Sequence, residues 1–215
     1  RSINELSSKS AIPVFFALSN TSGSANLYIP IDNLGIEHDA SATIESGSFE
    51  NARNQEVPLE RLDFFKFTEI DFIKIDIQGA ELDVFKGGKK TLEKTLMIVS
   101  EVEWIEQYIN QPLFGDVSSF LRKEDFMLHK FLGYGTRSLK PIILNQNKNF
   151  GTQFLWSDAL FIKDIMNVSK LSDEELIKSA VFSYIYKSPD LTYFYLTKFD
   201  EKNNSSFCNL FQKVN

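Results

Sequence analysis

Cys208 is the only cysteine in 215 residues. An intrachain disulfide and a thiolate metal cluster are therefore both excluded. Histidine is almost as scarce: two residues, His38 and His129, cannot by themselves supply a multi-histidine zinc site. Basic residues are in the minority, 23 Lys and Arg against 29 Asp and Glu, for a net charge of -6. That balance argues against a nucleic-acid backbone as the main partner. No basic run is long enough to engage an anionic membrane surface, and no apolar run approaches the ~20 residues of a membrane span. No signal peptide is visible. These absences point to a cytoplasmic protein, in which the Asn20-Thr-Ser sequon would be accidental. What remains is ordinary for a soluble globular chain, 43% hydrophobic and 24% charged, with a bulky aromatic core expected from twenty Phe. The length suits one α/β domain plus an appendage.

One stretch organises the chain: Asp71-Phe-Ile-Lys-Ile-Asp-Ile-Gln-Gly-Ala-Glu-Leu82. Ile73, Ile75 and Ile77 alternate with Lys74 and Asp76, the period of a half-buried strand built from β-branched residues. Gly79 permits a sharp turn, and Glu81 then falls in the first turn of a helix, where a carboxylate suits the positive helix end. Asp76 lies at the carboxyl end of the strand, the edge at which open α/β sheets bind ligands. The helix carries Leu82 and Phe85 inward, and Gly87-Gly88 stops or bends it before a short helix over Lys89 to Lys94. Leu96 to Val102 reads as the next strand. A strand, a helix and a strand imply a right-handed crossover and a parallel pair. On that second strand Glu101 and Glu103 share one face, and Glu101 is expected near Lys74 or Asp76.

Upstream, Arg1 to Ser10 read as the polar end of a helix entering a buried strand, Ile12 to Leu18, as though an element were cut through. Asn20-Thr-Ser-Gly23 reads as a turn, Ala25 to Ile29 as a strand, and Pro30 to Glu56 as a long loop containing the hydroxyls of Ser41 and Thr43. Val57 to Phe64 reads as an edge strand with a turn or short helix. Downstream, Val117, Phe120 and Leu121 form a helical stripe. Phe126 to Leu132 is a strand containing His129, and Gly133 to Asn149 a loop or hairpin. Trp156-Ser-Asp is read as a polar turn feeding a last strand that ends near Lys163. The tail has a different character. Leu171-Ser-Asp-Glu-Glu-Leu176 fits a capping box with Ser172 as N-cap and Glu175 three residues on, stapled by Leu171 and Leu176. Leu176, Ile177, Ala180, Val181, Tyr184 and Ile185 form an amphipathic stripe. Ser188-Pro189 starts a second helix, with Leu191, Phe194, Tyr195 and Phe199 inward. The expected organisation is an α/β domain over residues 1–165 and a helical extension over 166–215 that packs on the sheet or forms a homodimer.

The segments Ala17-Leu-Ser-Asn, Ala25-Asn-Leu-Tyr, Val57-Pro-Leu, Lys74-Ile-Asp-Ile-Gln-Gly-Ala-Glu81 and Ile98-Val-Ser-Glu-Val102, in that order, closely resemble the FkbM family of S-adenosylmethionine-dependent methyltransferases. The resemblance runs from about Ile12 to Lys163. It implies a Rossmann-like class I methyltransferase sheet, here the downstream strands only, followed by the helical hairpin. It also implies S-adenosylmethionine as cofactor and O-methylation of a hydroxyl on a sugar or secondary metabolite. The family's glycine-rich cofactor loop and its ribose-binding acid belong upstream of residue 1, and no Gly-x-Gly-x-x-Gly occurs in the chain. If those strands are missing, an opening is expected beside the Ile12 strand.

Asp76 is the candidate for cofactor contact and catalysis, or else a turn residue that organises Gln78-Gly79. Glu101 is the candidate base, or else the ion-pair partner of Lys74. Ser41 and Thr43 are candidate cofactor contacts, or ordinary loop residues. Trp104, Tyr108 and Trp156 offer aromatic faces for a sugar or apolar acceptor, or pack the core. No metal ligand set is assigned, since Asp76 and Glu101 alone are a thin one. Besides a methyltransferase, a non-catalytic binding or assembly module and another α/β transferase remain compatible with the same sheet edge.

Overall fold

The computed structural model describes residues 13–38, 41–44, 47, 49–67, 69–139, 141, 146–147 and 151–214. The readings of Arg1 to Ser10 and of Ile12 lie outside these residues. The described chain forms two sheets rather than the single one expected. The first holds β1 (Ala17–Ser19), β2 (Gly23–Pro30) and β3 (Ala52–Arg61) in the order β1-β3-β2. β1 runs parallel to β3, with Ala17 opposite Leu59, and β2 runs antiparallel to it. The second sheet holds β4 (Phe72–Ile75), β5 (Met97–Glu103), β6 (Phe126–Arg137) and β7 (Gln153–Lys163) in the order β4-β5-β7-β6. β4 and β5 are the expected parallel pair, with Ile73 opposite Ile98, while β7 runs antiparallel to both its neighbours.

Helices cover both faces of the second sheet. α1 (Glu81–Gly87), α2 (Lys89–Lys94) and α3 (Phe114–Lys123) bury Leu82, Phe85, Leu92, Val117 and Leu121 against Ile75, Ile98, Val102 and Phe161. The opposite face, Met97, Val99, Leu160 and Ile162, is covered by α4 (Asp173–Ile185) and α5 (Pro189–Asn203) through Leu176, Ala180, Leu191 and Tyr195. Successive residues of β5 alternate between the two cores, which explains its continuous apolar run: a strand buried on both faces has no polar side to show. Lys178 of α4 pairs with Asp71, just before β4, at 3.0 Å. α6 (Phe207–Val214) completes the tail.

The capping box is as read from the sequence: Ser172 N–H donates to the Glu175 carboxylate (2.7 Å), and Glu175 N–H donates to Ser172 Oγ (3.2 Å). The stripe on α4 holds only in part: Leu176 and Ala180 are buried against the sheet. Val181, Tyr184 and Ile185 are half or more exposed, while Ser179 and Ser183 are buried. Ser183 Oγ donates to the carbonyl of Ser179, so a small hydroxyl satisfied within the helix takes a core position that hydrophobicity assigns to larger neighbours. The tail also has a third, short helix, which the sequence reading did not include and whose first N–H groups, those of Phe207 and Cys208, donate to the Asp200 carboxylate.

The first strand is three residues long rather than seven; Pro13 to Phe16 lie outside it, and Phe15 is 80% exposed. β3 begins inside the presumed loop. Its first half is polar and exposed, so it shows no alternation to read. β6 likewise runs on through Gly133 and Gly135 to Arg137, with three irregularities in its pairing with β7. Bulges of this kind are where glycine enters strands. Trp156-Ser-Asp is not a turn but the interior of β7.

Candidate active site

β4 ends at Ile75, and Asp76 to Ala80 turn the chain into α1. Gln78 has φ 59° and Gly79 φ 107°, both left-handed. Gly79 is the position where glycine is required. A Cβ there would also sit 3.1 Å from the Tyr108 ring and 3.2 Å from the Gln111 amide nitrogen. Glu81, 3% exposed, holds the turn from inside. Its carboxylate accepts the N–H of Ile77 at 2.8 Å and that of Gly79 at 3.1 Å. Burial raises its pKa, partly opposed by these backbone bonds.

Gln78 is the hub. Its amide nitrogen donates to Asp76 Oδ1 (3.1 Å) and to Glu101 Oε2 (3.4 Å), while its amide oxygen accepts the Tyr108 hydroxyl at 2.6 Å. Its backbone carbonyl accepts Thr43 Oγ1 at 2.9 Å. Lys74 lies 3.9 Å from Asp76 and 3.8 Å from Asp158, whose strand position is directly opposite Glu101. Strand alternation therefore puts Lys74, Asp76, Glu101, Glu103 and Asp158 on the face that α4 and α5 cover, toward the carboxyl ends of β4 and β5.

So many carboxyl groups cannot all ionise together. Burial, then the charges of Asp76 and Glu81, push Glu101 up to about 7. Glu103, 2% exposed, is pushed to about 8 by burial and by the charges of Glu81 and Glu101. Burial and the surrounding carboxylates push the Tyr108 hydroxyl up to about 12, so it stays a donor to Gln78. Gln111 accepts the N–H groups of Gln107 and Tyr108, but its own buried amide nitrogen is the one unsatisfied side-chain donor among the described residues.

A stability consequence follows. Glu103 titrates near 4.5 when unfolded and about 8 when folded. Between those values the folded chain binds more protons, so this stabilisation is complete below the unfolded pKa and is lost as pH rises through the folded one. Glu103→Gln is expected to unfold roughly 5 °C or more above wild type once the pH passes 8, with the gap closing near pH 4.5. Parallel melting-temperature curves across that range would contradict the assignment.

Beside the turn is a cavity of about 750 Å³ between β1 and β4, lined by Phe16, Leu18, Thr43, Phe72, Asp76 and Gln78 among others. β4 is the edge strand of its sheet that borders this cavity.

The structure brings Asp76, Glu101, Tyr108 and Thr43 into one network. Thr43 also bridges to β2, its N–H and C=O paired with Tyr28 at 3.1 and 2.8 Å, so it ties the first sheet to the turn. Ser41 does not line the cavity; its N–H donates to the carbonyl of His38. Trp104 donates to Ser157 Oγ (3.0 Å) and packs among Phe114, Phe131 and Phe154. Trp156 faces a separate cavity at the ends of β6 and β7. Lys74 pairs with Asp76 and Asp158 rather than with Glu101. Sequence reasoning missed Gln78 and Asp158. Gln78, between Asp76 and Gly79, had a signal in its place at the turn; Asp158 had none, because its strand was read as a turn.

Among the described residues, no three His, Cys, Asp or Glu form a group able to hold a metal ion, and no helix is long and apolar enough to cross a membrane. No curated protein and no solved structure matches the chain. A family model, that of the methyltransferase FkbM domain, matches residues 4–128, more than half of the chain, including β4, β5 and the whole Asp76–Gln78–Glu101 network. The chain belongs to the FkbM methyltransferase family.

Proposed function

We propose that this chain takes part in S-adenosylmethionine-dependent methylation of a hydroxyl group on a sugar or secondary metabolite, at the rim formed by Asp76 and Glu101. The observation that carries this reading is the pair of carboxylates joined through Gln78 at the carboxyl ends of two adjacent parallel strands, beside a cavity. A volume of about 750 Å³ is ample for a nucleoside-sized ligand. Its walls, Phe16, Leu27, Ile44 and Phe72 among them, suit an apolar ring, and Asp76 in the lining suits a cation. These residues fit the sulfonium end of the donor, and Asp76, Gln78 and Thr43 are those that would hold it. When bound, S-adenosylmethionine supplies an electrophilic methyl group.

The residues of the chain do the rest. Glu101, poised at about 7, is part carboxylate at neutral pH and accepts the proton that the acceptor hydroxyl gives up. Asp76 stands beside Glu101 and is, after burial, the largest cause that raises it. Tyr108 locks Gln78, whose amide fixes both carboxylates in place.

A second reading, a methyltransferase-like binding or assembly module, fits the same rim and cavity. Calorimetric titration with S-adenosylhomocysteine separates the two. One-to-one binding is expected for the first. No heat up to millimolar ligand would support the second.

A further inference from the structure

From Phe126 to Ser157 the sequence contains no Asp or Glu, whereas Lys130, Arg137, Lys140 and Lys148 all fall within it. All 29 acidic residues of a net-acidic chain lie elsewhere. This stretch forms β6 and leads into β7, and at their ends is a cavity of about 410 Å³ lined by Gln107, Thr136, Arg137 and Trp156, with Tyr134 and Leu155 beside them. Arg137 is the one ionised group in that lining. It is exposed and has no ion pair among the described residues, unlike Arg53 and Arg61.

Trp156 is the floor. It stands opposite Gly135, where a Cβ would fall 2.2 Å from its indole nitrogen, so the ring occupies the space that the glycine leaves open. Trp104 packs among three other rings; Trp156 has no ring neighbour among the described residues, and it is only partly buried. A flat indole, a planar guanidinium and the polar side chains of Gln107 and Thr136 make a set that recognises a sugar ring and an attached anionic group. Lys130 does not compete, since its ammonium is spent on the carbonyls of Tyr186 and Lys187.

The placement relative to the rim is direct. Trp156 is opposite Glu103, and Asp158, two residues on and on the same face, is opposite Glu101. Two residues of strand span about 7 Å, roughly the width of a pyranose ring. We infer that this cavity is the acceptor subsite and that its ligand is a sugar carrying a carboxylate or phosphate group, seated on Trp156 with the anion on Arg137. The inference deepens the methyl-transfer reading and rests on it for the word acceptor, though not for the binding itself.

The chain has two tryptophans, so an indole-labelled sample gives two side-chain NMR signals. Trp156→Phe assigns them, and Trp104→Phe does so independently if the first variant does not fold. Glucuronate, glucose 6-phosphate, glucose and inorganic phosphate are titrated separately. The expected result is a shift of the Trp156 signal by glucuronate, by glucose 6-phosphate or by both, at least about tenfold more tightly than by glucose, with Trp104 unmoved. Which of the two acts identifies the anion. Arg137→Gln, on an exposed side chain, is expected to weaken the anionic sugars about tenfold and leave glucose unchanged. Equal response to glucose and glucuronate, a response to inorganic phosphate alone, or none from any sugar would each overturn the proposal. A chain that binds the anionic sugar but not S-adenosylhomocysteine would refute methyl transfer and leave this site standing. The reverse would refute the site alone.

Discussion

Asp76→Asn is expected to lower kcat/KM for methyl transfer by at least about 10²-fold, the low end for loss of a group that acts on a transferred proton or its counter-charge. The substitution keeps size and the hydrogen bond from Gln78, and removes only the charge. That charge stands second, after burial, among the causes that raise Glu101. The pH profile should therefore change as well as the rate. In wild type, kcat/KM is expected to rise with pH through an apparent value near 7, as Glu101 loses its proton. In Asp76→Asn that limb should move to lower pH, because Glu101 loses a repelling neighbour. A variant with wild-type turnover would remove Asp76 from the reaction. A lowered rate with an unmoved limb would break the proposed coupling between the two carboxyl groups.

Glu81→Ala is the second large effect. The Glu81 carboxylate accepts the N–H groups of Ile77 and Gly79, and the side chain is almost fully buried. Alanine leaves those donors without a partner and opens space below the turn. Each orphaned buried donor costs about 1–3 kcal/mol, so with two of them a loss of about 2–6 kcal/mol in unfolding free energy is expected by urea titration. Turnover should fall too, since Gln78 leaves its left-handed conformation once the turn relaxes. Glu81→Gln keeps one acceptor oxygen and should lose less of both. An unchanged urea midpoint in Glu81→Ala would mean that the turn is held by Gly79, Thr43 and Tyr108 without it.

The part of the site that was legible in the sequence is the part made by local chain geometry. Asp76, Gly79 and Glu81 occur within one strand–turn–helix, where alternation and turn chemistry fix each position. The pairing of Asp76 with Glu101 needed one further step, the parallel crossover, which follows from two strands around a helix. Asp158 and the Trp156 cavity depend on β7, which carries polar residues in its interior because it passes the acidic rim. There polar residues such as Ser157 and Asp158 erase the apolar pattern that would reveal a strand. Something similar hides β3, whose exposed half has no face to bury, and the far half of β6, where glycines sit in bulges. The division into two sheets was not legible as such, since strand pairing between distant segments leaves no mark on either one alone.

The family match covers Asp76, Gln78 and Glu101, and the proposed function would seat the methyl donor beside them. Ultraviolet cross-linking of radiolabelled S-adenosylmethionine to the folded chain, followed by peptide mapping, tests that location most directly. Label is expected on the peptides carrying residues 72–81 or 101–108, and to be lost with excess S-adenosylhomocysteine. Label confined to the helices after Asp173, or no competable label, would contradict it.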